Sequence, residues 1–314
     1  MKRLLMWLAV VASGLTFALP ASAQGRELKI GIVTLQMRAP YFIAMVRSLE
    51  AEAAKHKHVS VMVADGGGDV AKVSSDIEDL LAKGVDGLIM NISPLEALPG
   101  PMAAIKKAGK PVVLVNRKLA GGEYDAWVGV DNLAIGAGLG ETIVSHMGGK
   151  GVLMMMRGGP ADNSTGNARR EGVLSKVKSS RVEVVVAPEF GRWSEDGGIR
   201  VMEDMLAKHR QIDAVFCEND AMCLGAQKAI ADAKREKAIS VFGFDGQKAA
   251  IEQIMKGTNY VATGQNSPEV IARIGLEKLL ALIAGRTVPK DTVTPVVVVT
   301  KDNATKVLNP RSVF

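Results

Sequence analysis

From Leu28 to about Ala284, apolar residues alternate between a strand rhythm and a helix rhythm. Short β-rich runs occupy Leu28–Val33, Val59–Ala64, Gly87–Met90 and Pro111–Val115. Between the first two, Phe42, Val46, Leu49 and Ala53 recur at helical spacing. Val70, Val73, Ile77, Leu80 and Leu81 mark a second amphipathic helix that stops at Gly84. A shorter helix is predicted from Pro101 to Gly109. The pattern then restarts. Ala126–Val130 leads into a helix over Asn132–Met147, with strands predicted at Gly151–Met156 and Val182–Ala187 and helices at Asn167–Ser179 and Ile199–Lys208. Ile212–Cys217 and Ile239–Phe244 read as buried strands around a helix from Ala221 to Ala233. A helix to Lys256, a strand at Tyr260–Thr263, a helix at Pro268–Ala284 and a late strand at Thr294–Val299 complete the series.

Such alternation predicts βαβ units and parallel sheets. The restart predicts two α/β lobes, each a doubly wound, Rossmann-like parallel sheet. Lobe one is expected over 26–130 plus 267–293, and lobe two over 131–266 plus 294–314. No Pro/Gly/Ser-rich linker separates them, so three short crossings, near Val130, Asn266 and Pro295, are expected to form a three-strand hinge.

Composition narrows the function. At 314 residues the chain exceeds what one core usually fills, and 47% hydrophobic residues suffice for two. Residues 1–23 have the pattern of a signal peptide: Lys2-Arg3, an apolar core over Leu4–Leu19, and a small-residue cleavage site at Ala21-Ser22-Ala23. Later apolar runs fall short of a spanning helix, so the mature chain is expected to be exported and soluble, in the periplasm. The formal net charge is +6; two of those charges, Lys2 and Arg3, lie in the leader, leaving +4. Basic residues are spread along the chain, which offers nucleic acid no stripe. Cys217 and Cys223 are the only cysteines; an exported chain could join them, but the reading favours two small core residues with free thiols. The four histidines show no metal spacing, and no metal or cofactor is expected.

Catalytic motifs are weak. Gly136-Ala-Gly138-Leu-Gly140 lies inside a helical pattern rather than at a strand-to-helix turn, so close helix packing is the better reading. Gly66-Gly67-Gly68 lacks a P-loop Lys-Ser/Thr and reads as a plain loop. No GxSxG elbow is present. The chain is not expected to be an enzyme.

The ends of the predicted strands are more informative, because open α/β sheets bind ligands there. One strand delivers Glu218-Asn219-Asp220 and another Asp245-Gly246. Strand one is followed by Gln36, Arg38, Tyr41 and Phe42, and strand four by Asn116-Arg117. Arg169, Trp193 and Asn266 follow later strands. Amides, guanidinia, a carboxylate and aromatics at one edge suit a neutral polyhydroxylated ligand, whose C–H faces stack on rings and whose hydroxyls take charge-assisted hydrogen bonds. A phosphate would want backbone amides at helix N-termini. An anionic sugar acid stays open, since Arg38, Arg117 and Arg169 outnumber Asp245.

An ordered set of motifs carries a resemblance: Ala39-Pro-Tyr-Phe42, Val115-Asn-Arg117, Ala168-Arg169-x-x-Gly172, Phe216-Cys-Glu-Asn-Asp220, Gly243-Phe-Asp-Gly246 and Ala262-Thr-Gly-Gln-Asn266. From about Leu28 to Val299 the chain resembles the type I periplasmic solute-binding proteins of the ribose/galactose-binding kind, which serve ABC importers. The resemblance implies that Tyr41, Phe42 and Trp193 sandwich a sugar ring, while Asn116, Arg117, Arg169, Asn219, Asp245 and Asn266 hydrogen-bond it. It also implies an inner-membrane permease as partner and action as a monomer. Ala39 stands where an Asn is common, Asn116 where the ribose-type pattern has Asp, and Asn266 where it has Gln. Tyr41 adds a hydroxyl where Phe is usual. Gln36 or Arg38 is left to supply a first-loop contact. A periplasmic sensor that presents sugar to a chemoreceptor or histidine kinase is the second reading.

Overall fold

The computed structural model describes residues 26–92, 99–118, 123–159 and 165–314; the expected leader and its cleavage site lie outside them. The first half runs β1 (Leu28–Thr34), α1 (Pro40–Ala53), β2 (Val59–Asp65), α2 (Val70–Ala82), β3 (Gly87–Asn91), α3 (Pro99–Lys107), β4 (Val112–Val115) and β5 (Ala126–Gly129). The second half repeats the plan with α4 (Asn132–His146), β6 (Lys150–Arg157), α5 (Thr165–Val177), β7 (Arg181–Phe190), α6 (Glu195–Lys208), β8 (Ala214–Cys217), α7 (Asp220–Asp232), β9 (Ser240–Asp245), α8 (Lys248–Lys256) and β10 (Tyr260–Gln265). It closes with α9 (Pro268–Ile283), β11 (Asp291–Val293), β12 (Val298–Val299) and α10 (Ala304–Val307).

Two sheets result. One is ordered β11-β5-β4-β3-β1-β2 and the other β12-β10-β9-β8-β6-β7, so the same 2-1-3-4-5 winding appears twice. All pairings are parallel except β10 with β12. Side chains alternate across each strand and feed a core on either face. Ile30, Ile32, Val113 and Val115 pack with α1 and α9, while Val33, Leu88, Met90 and Leu114 pack with α2 and α3. In the second sheet Leu153, Met155 and Phe216 face α4 and α5, and Met154, Met156 and Val215 face α6, α7 and α8.

Local chemistry sets where the helices begin. The side chains of Asp69, Asp131, Ser194, Asn219 and Ser267 each accept a backbone N–H in the first turn that follows. Pro40 and Pro268 occupy first-turn positions, where a missing N–H costs nothing.

The glycine-rich stretch of α4 packs against α5. A Cβ at Gly136 would run into the Arg169 carbonyl, and one at Gly140 into that of Val173. Gly172 of α5 faces the backbone of α4 in return, so the two helices meet backbone to backbone.

Two expectations are corrected. Of the late strand expected at Thr294–Val299 only Val298–Val299 forms, as β12 in the second sheet, while Asp291–Val293 just before it makes β11 in the first. Pro295 lies between them and has no N–H to continue a ladder. The cysteines are not free: Cys217 and Cys223 form a disulfide with their Cα atoms 5.4 Å apart. Cys217 ends β8 and Cys223 lies in the first turn of α7, whose side chains tilt back toward the helix N-terminus and so toward the strand.

The chain passes between the sheets at 130–131, at 266–267 and at 294–297. Thr294 N–H donates to the Gly129 carbonyl at 2.8 Å, and Gln265 N–H to that of Val297 at 2.9 Å, so the crossings are tied to one another.

Candidate ligand-binding site

The C-terminal strand ends of both sheets present polar side chains that are buried and joined to one another. Asn91 ends β3, and Asn116 follows β4 with a φ of 62°, a left-handed conformation that Asn tolerates better than most residues. That turn lets Arg117 N–H bond the Val115 carbonyl at 2.7 Å. Asp245 ends β9 with a φ of 117°, followed by Gly246 at 73°. Asn266 follows β10 in the second crossing.

Arg169, in the first turns of α5, is the hub. One guanidinium nitrogen pairs with Asp245 Oδ1 at 2.8 Å, with the two side chains only 3% and 6% exposed. Its Nε donates to Asn132 Oδ1 at 2.9 Å and Nη1 to the Glu218 carbonyl at 2.6 Å. The guanidinium also sits 3.8 Å from the centre of the Phe244 ring. From Asp245 the row continues to Asn266, whose Nδ2 lies 3.3 Å from Asp245 Oδ1 and 3.2 Å from Asn116 Oδ1. Asn116 Nδ2 donates to Asn91 Oδ1 at 3.2 Å, and the Tyr41 hydroxyl donates to Asn266 Oδ1 at 3.1 Å. One continuous hydrogen-bonded row thus links the strand ends of both sheets.

The remaining sequence-derived positions divide. Phe42 is buried with the Arg117 guanidinium 5.6 Å from its ring centre, on the first-sheet side. Trp193, with a φ of 59°, lays its indole against Gly158, which leaves no room there for a Cβ. Asn219 is buried, but its amide has structural partners: Oδ1 caps α7 by accepting from Met222 N–H at 3.1 Å, and Nδ2 donates to the Trp193 carbonyl at 3.3 Å. Gln36 is half-buried, whereas Arg38 is exposed and donates to the Gly67 carbonyl at 2.8 Å, tying the first loop to the glycine loop. The structure does not bring Arg38 into the buried row.

Several participants escaped sequence reading. Asn91 carries a local signal, a polar residue closing an apolar strand. Glu218, named in the sequence only as part of a strand end, accepts from Gly158 N–H at 2.7 Å and from Arg170 at 2.5 Å, tying the end of β6 to α5. Phe314 packs edge-on against Tyr41 at 5.3 Å, a contact between residues far apart in the chain that leaves no local signature.

Burial dominates the electrostatics. It raises Glu218 above the ordinary carboxylate range, against the Gly158 amide and Arg170. It also raises Asp245, opposed by Arg169, Asn266 and Arg117. Asp220 is pushed up to about 7, first by burial and then by the Asp245 charge. The Tyr41 hydroxyl is raised well above its usual value, first by burial and then by Asp245, so it stays a donor. Among the described residues no group of three or more His, Cys, Asp or Glu could hold a metal ion. The row can donate and accept many hydrogen bonds, and it holds opposite charges together in one desolvated place.

Comparison with known proteins identifies the family. The ribose import binding protein of Bacillus subtilis is 30% identical over 276 residues, covering 87% of this chain and 88% of that protein. The D-allose-binding periplasmic protein of Escherichia coli is 28% identical over 83% of this chain and 86% of its own. An ABC transporter solute-binding protein from Mycobacterium smegmatis, solved with bound glycerol, superposes with a TM-score of 0.84 at 28% identity, covering 91% of this chain and 98% of that one. The periplasmic binding protein domain family matches residues 30–287, a span that includes β2 to β10, most of β1 and every member of the buried row, and the chain belongs to that family.

Proposed function

We propose that this protein is the periplasmic solute-binding component of an ABC importer, capturing a sugar or sugar-like polyol between its two lobes and delivering it to the inner-membrane permease. It is a binding protein and not an enzyme. The observation that carries the reading is the buried row Arg169–Asp245–Asn266–Asn116, which collects charged and amide groups from both sheets at one place. Tyr41, Phe42 and Trp193 would contribute apolar faces, with Arg117 and Asn219 at the edges. The lobes are 26–130 plus 267–293 and 131–266 plus 294–314, and the crossings at 130–131, 266–267 and 294–297 form the hinge. A ligand held by both lobes stabilises the closed form, and the closed surface is what a permease distinguishes. The protein acts in the periplasm as a monomer.

The test is a thermal-shift screen over D-ribose, D-allose, other pentoses and hexoses, C4 to C6 polyols and sugar acids, followed by calorimetry. A ligand at about 100 times its dissociation constant adds about 2.7 kcal/mol, a plain rise in Tm. The expected result is a rise for one stereochemical class, with ligand recovered unchanged. No rise across the panel, or conversion of a sugar to product, would sink the proposal.

A further inference from the structure

Asp220 is a buried carboxylate that belongs to no part of the row described above. It is fully buried at the first position of α7, beneath the strand end that carries Asp245. Its Oδ1 accepts from the Tyr260 and Thr263 hydroxyls, both at 2.7 Å, and its Oδ2 accepts from Gln247 N–H at 2.7 Å. Thr263 Oγ1 in turn accepts from Gly246 N–H at 3.2 Å. Both amides that follow Asp245 are therefore anchored on Asp220, one directly and one through Thr263. Gly243 keeps the space clear, since a Cβ there would run into both the Tyr260 hydroxyl and the Asp220 carboxylate.

The turn so anchored needs anchoring. Asp245 and Gly246 have consecutive positive φ values of 117° and 73°, and for a non-glycine residue such a conformation persists only where its surroundings over-determine it. Burying a second carboxylate beside Asp245 is unfavourable in itself, yet three donors converge on it. A site needing only packing would be served by an apolar residue. We infer that Asp220 is a positioning residue: it holds the Asp245–Gln247 turn so that the Asp245 carboxylate stays between Arg169 and Asn266, and thereby sets ligand affinity without touching ligand. The inference rests on the proposed role of Asp245 in binding.

Two measurements test it. D-ribose, D-allose and xylitol are titrated calorimetrically into the parent, Asp220→Asn, Asp245→Asn and the double variant. Asp220→Asn should weaken binding about tenfold in the parent and less than about twofold once Asp245 is Asn, because residues acting through one another are not additive. Equal losses in both backgrounds would reduce Asp220 to general stability and overturn the inference. Parental affinity in Asp245→Asn would instead refute the binding role of Asp245, a separate result. Should Asp220→Asn fail to fold, Thr263→Val removes the relay to Gly246, and Thr263→Ser should restore affinity; equal affinities of the two overturn the inference. Amide hydrogen exchange on the ligand-free protein needs no sugar. Gly246 and Gln247 should exchange faster in Asp220→Asn or Thr263→Val, and should any of these probes fail to bind the parent, parental exchange rates alone overturn the inference.

Discussion

Arg169 shows how a single residue joins folding to recognition. Its guanidinium is held by Asn132, the Glu218 carbonyl, Asp245 and the face of Phe244, so its position is set by the protein's own groups. Preorganisation of that kind lowers the ordering cost of binding. The same arrangement makes the residue expensive to remove. Arg169→Ala leaves the Asp245 carboxylate buried without its ion partner, which costs about 3–5 kcal/mol. Urea unfolding of the ligand-free variant should show a correspondingly lower midpoint, with sugar affinity reduced as well. A variant with parental midpoint and affinity would mean that the pair does not form in solution. Asn219 has the opposite moral: the strand-end pattern marks it as a ligand arm, and its side chain also caps α7 and anchors the Trp193 loop. Asn219→Ala should therefore lose stability even without ligand, by about 1 kcal/mol for the cap alone.

At the scale of elements, α4 and α5 carry the site on a close helix contact. Gly136 and Gly140 exist in α4 because the carbonyls of Arg169 and Val173 occupy the space where a side chain would go. Helix propensity alone favours Ala over Gly by about 1 kcal/mol. Overpacking typically costs about 1–3 kcal/mol, and here the obstructing atom is backbone that cannot swing aside. Gly136→Ala should therefore lower Tm, and it should weaken sugar binding too, because the helix it displaces carries Arg169. A rise in Tm would show that the two helices separate without penalty. The Cys217–Cys223 disulfide likewise fastens an element end that matters, joining β8 to α7 on either side of Glu218-Asn219-Asp220.

For the whole molecule, the buried carboxylates predict how stability varies with pH. Asp220, Glu218 and Asp245 are all raised in the folded state, by burial in each case before any other cause. Unfolded, such groups titrate near ~4. Between that pH and about 7, where folded Asp220 titrates, the native protein binds more protons than the unfolded chain, so stability falls as pH rises and then levels off. Below the unfolded values all three are neutral in both states and add no slope. Exposed Asp291 and Glu123 are lowered by lysine partners and pull the other way only at the acid end, where solvent screens them. Chemical denaturation from about pH 4.5 to about pH 8 should show the decline, and Asp220→Asn should remove part of it. A profile rising across that window would contradict the burial of these groups.

Sequence alone was enough for whatever depends on local order. Strand and helix rhythms, the restart after Val115, the residues that close the strands and the helical setting of Gly136, Gly138 and Gly140 are all short-range patterns. Backbone geometry converts such patterns into a 2-1-3-4-5 sheet made twice, and thus into a site at the strand ends. Tertiary structure decided whatever depends on which distant groups meet. Only the fold brings Arg169 to Asp245, Phe314 to Tyr41, and the hydroxyls of Tyr260 and Thr263 to Asp220. Only the fold pairs the two cysteines and sends β11 and β12 to different sheets. The physical reason is the same throughout: periodicity reports which face of an element is apolar, whereas a buried polar group is settled by the partners, distant in the chain, that satisfy it.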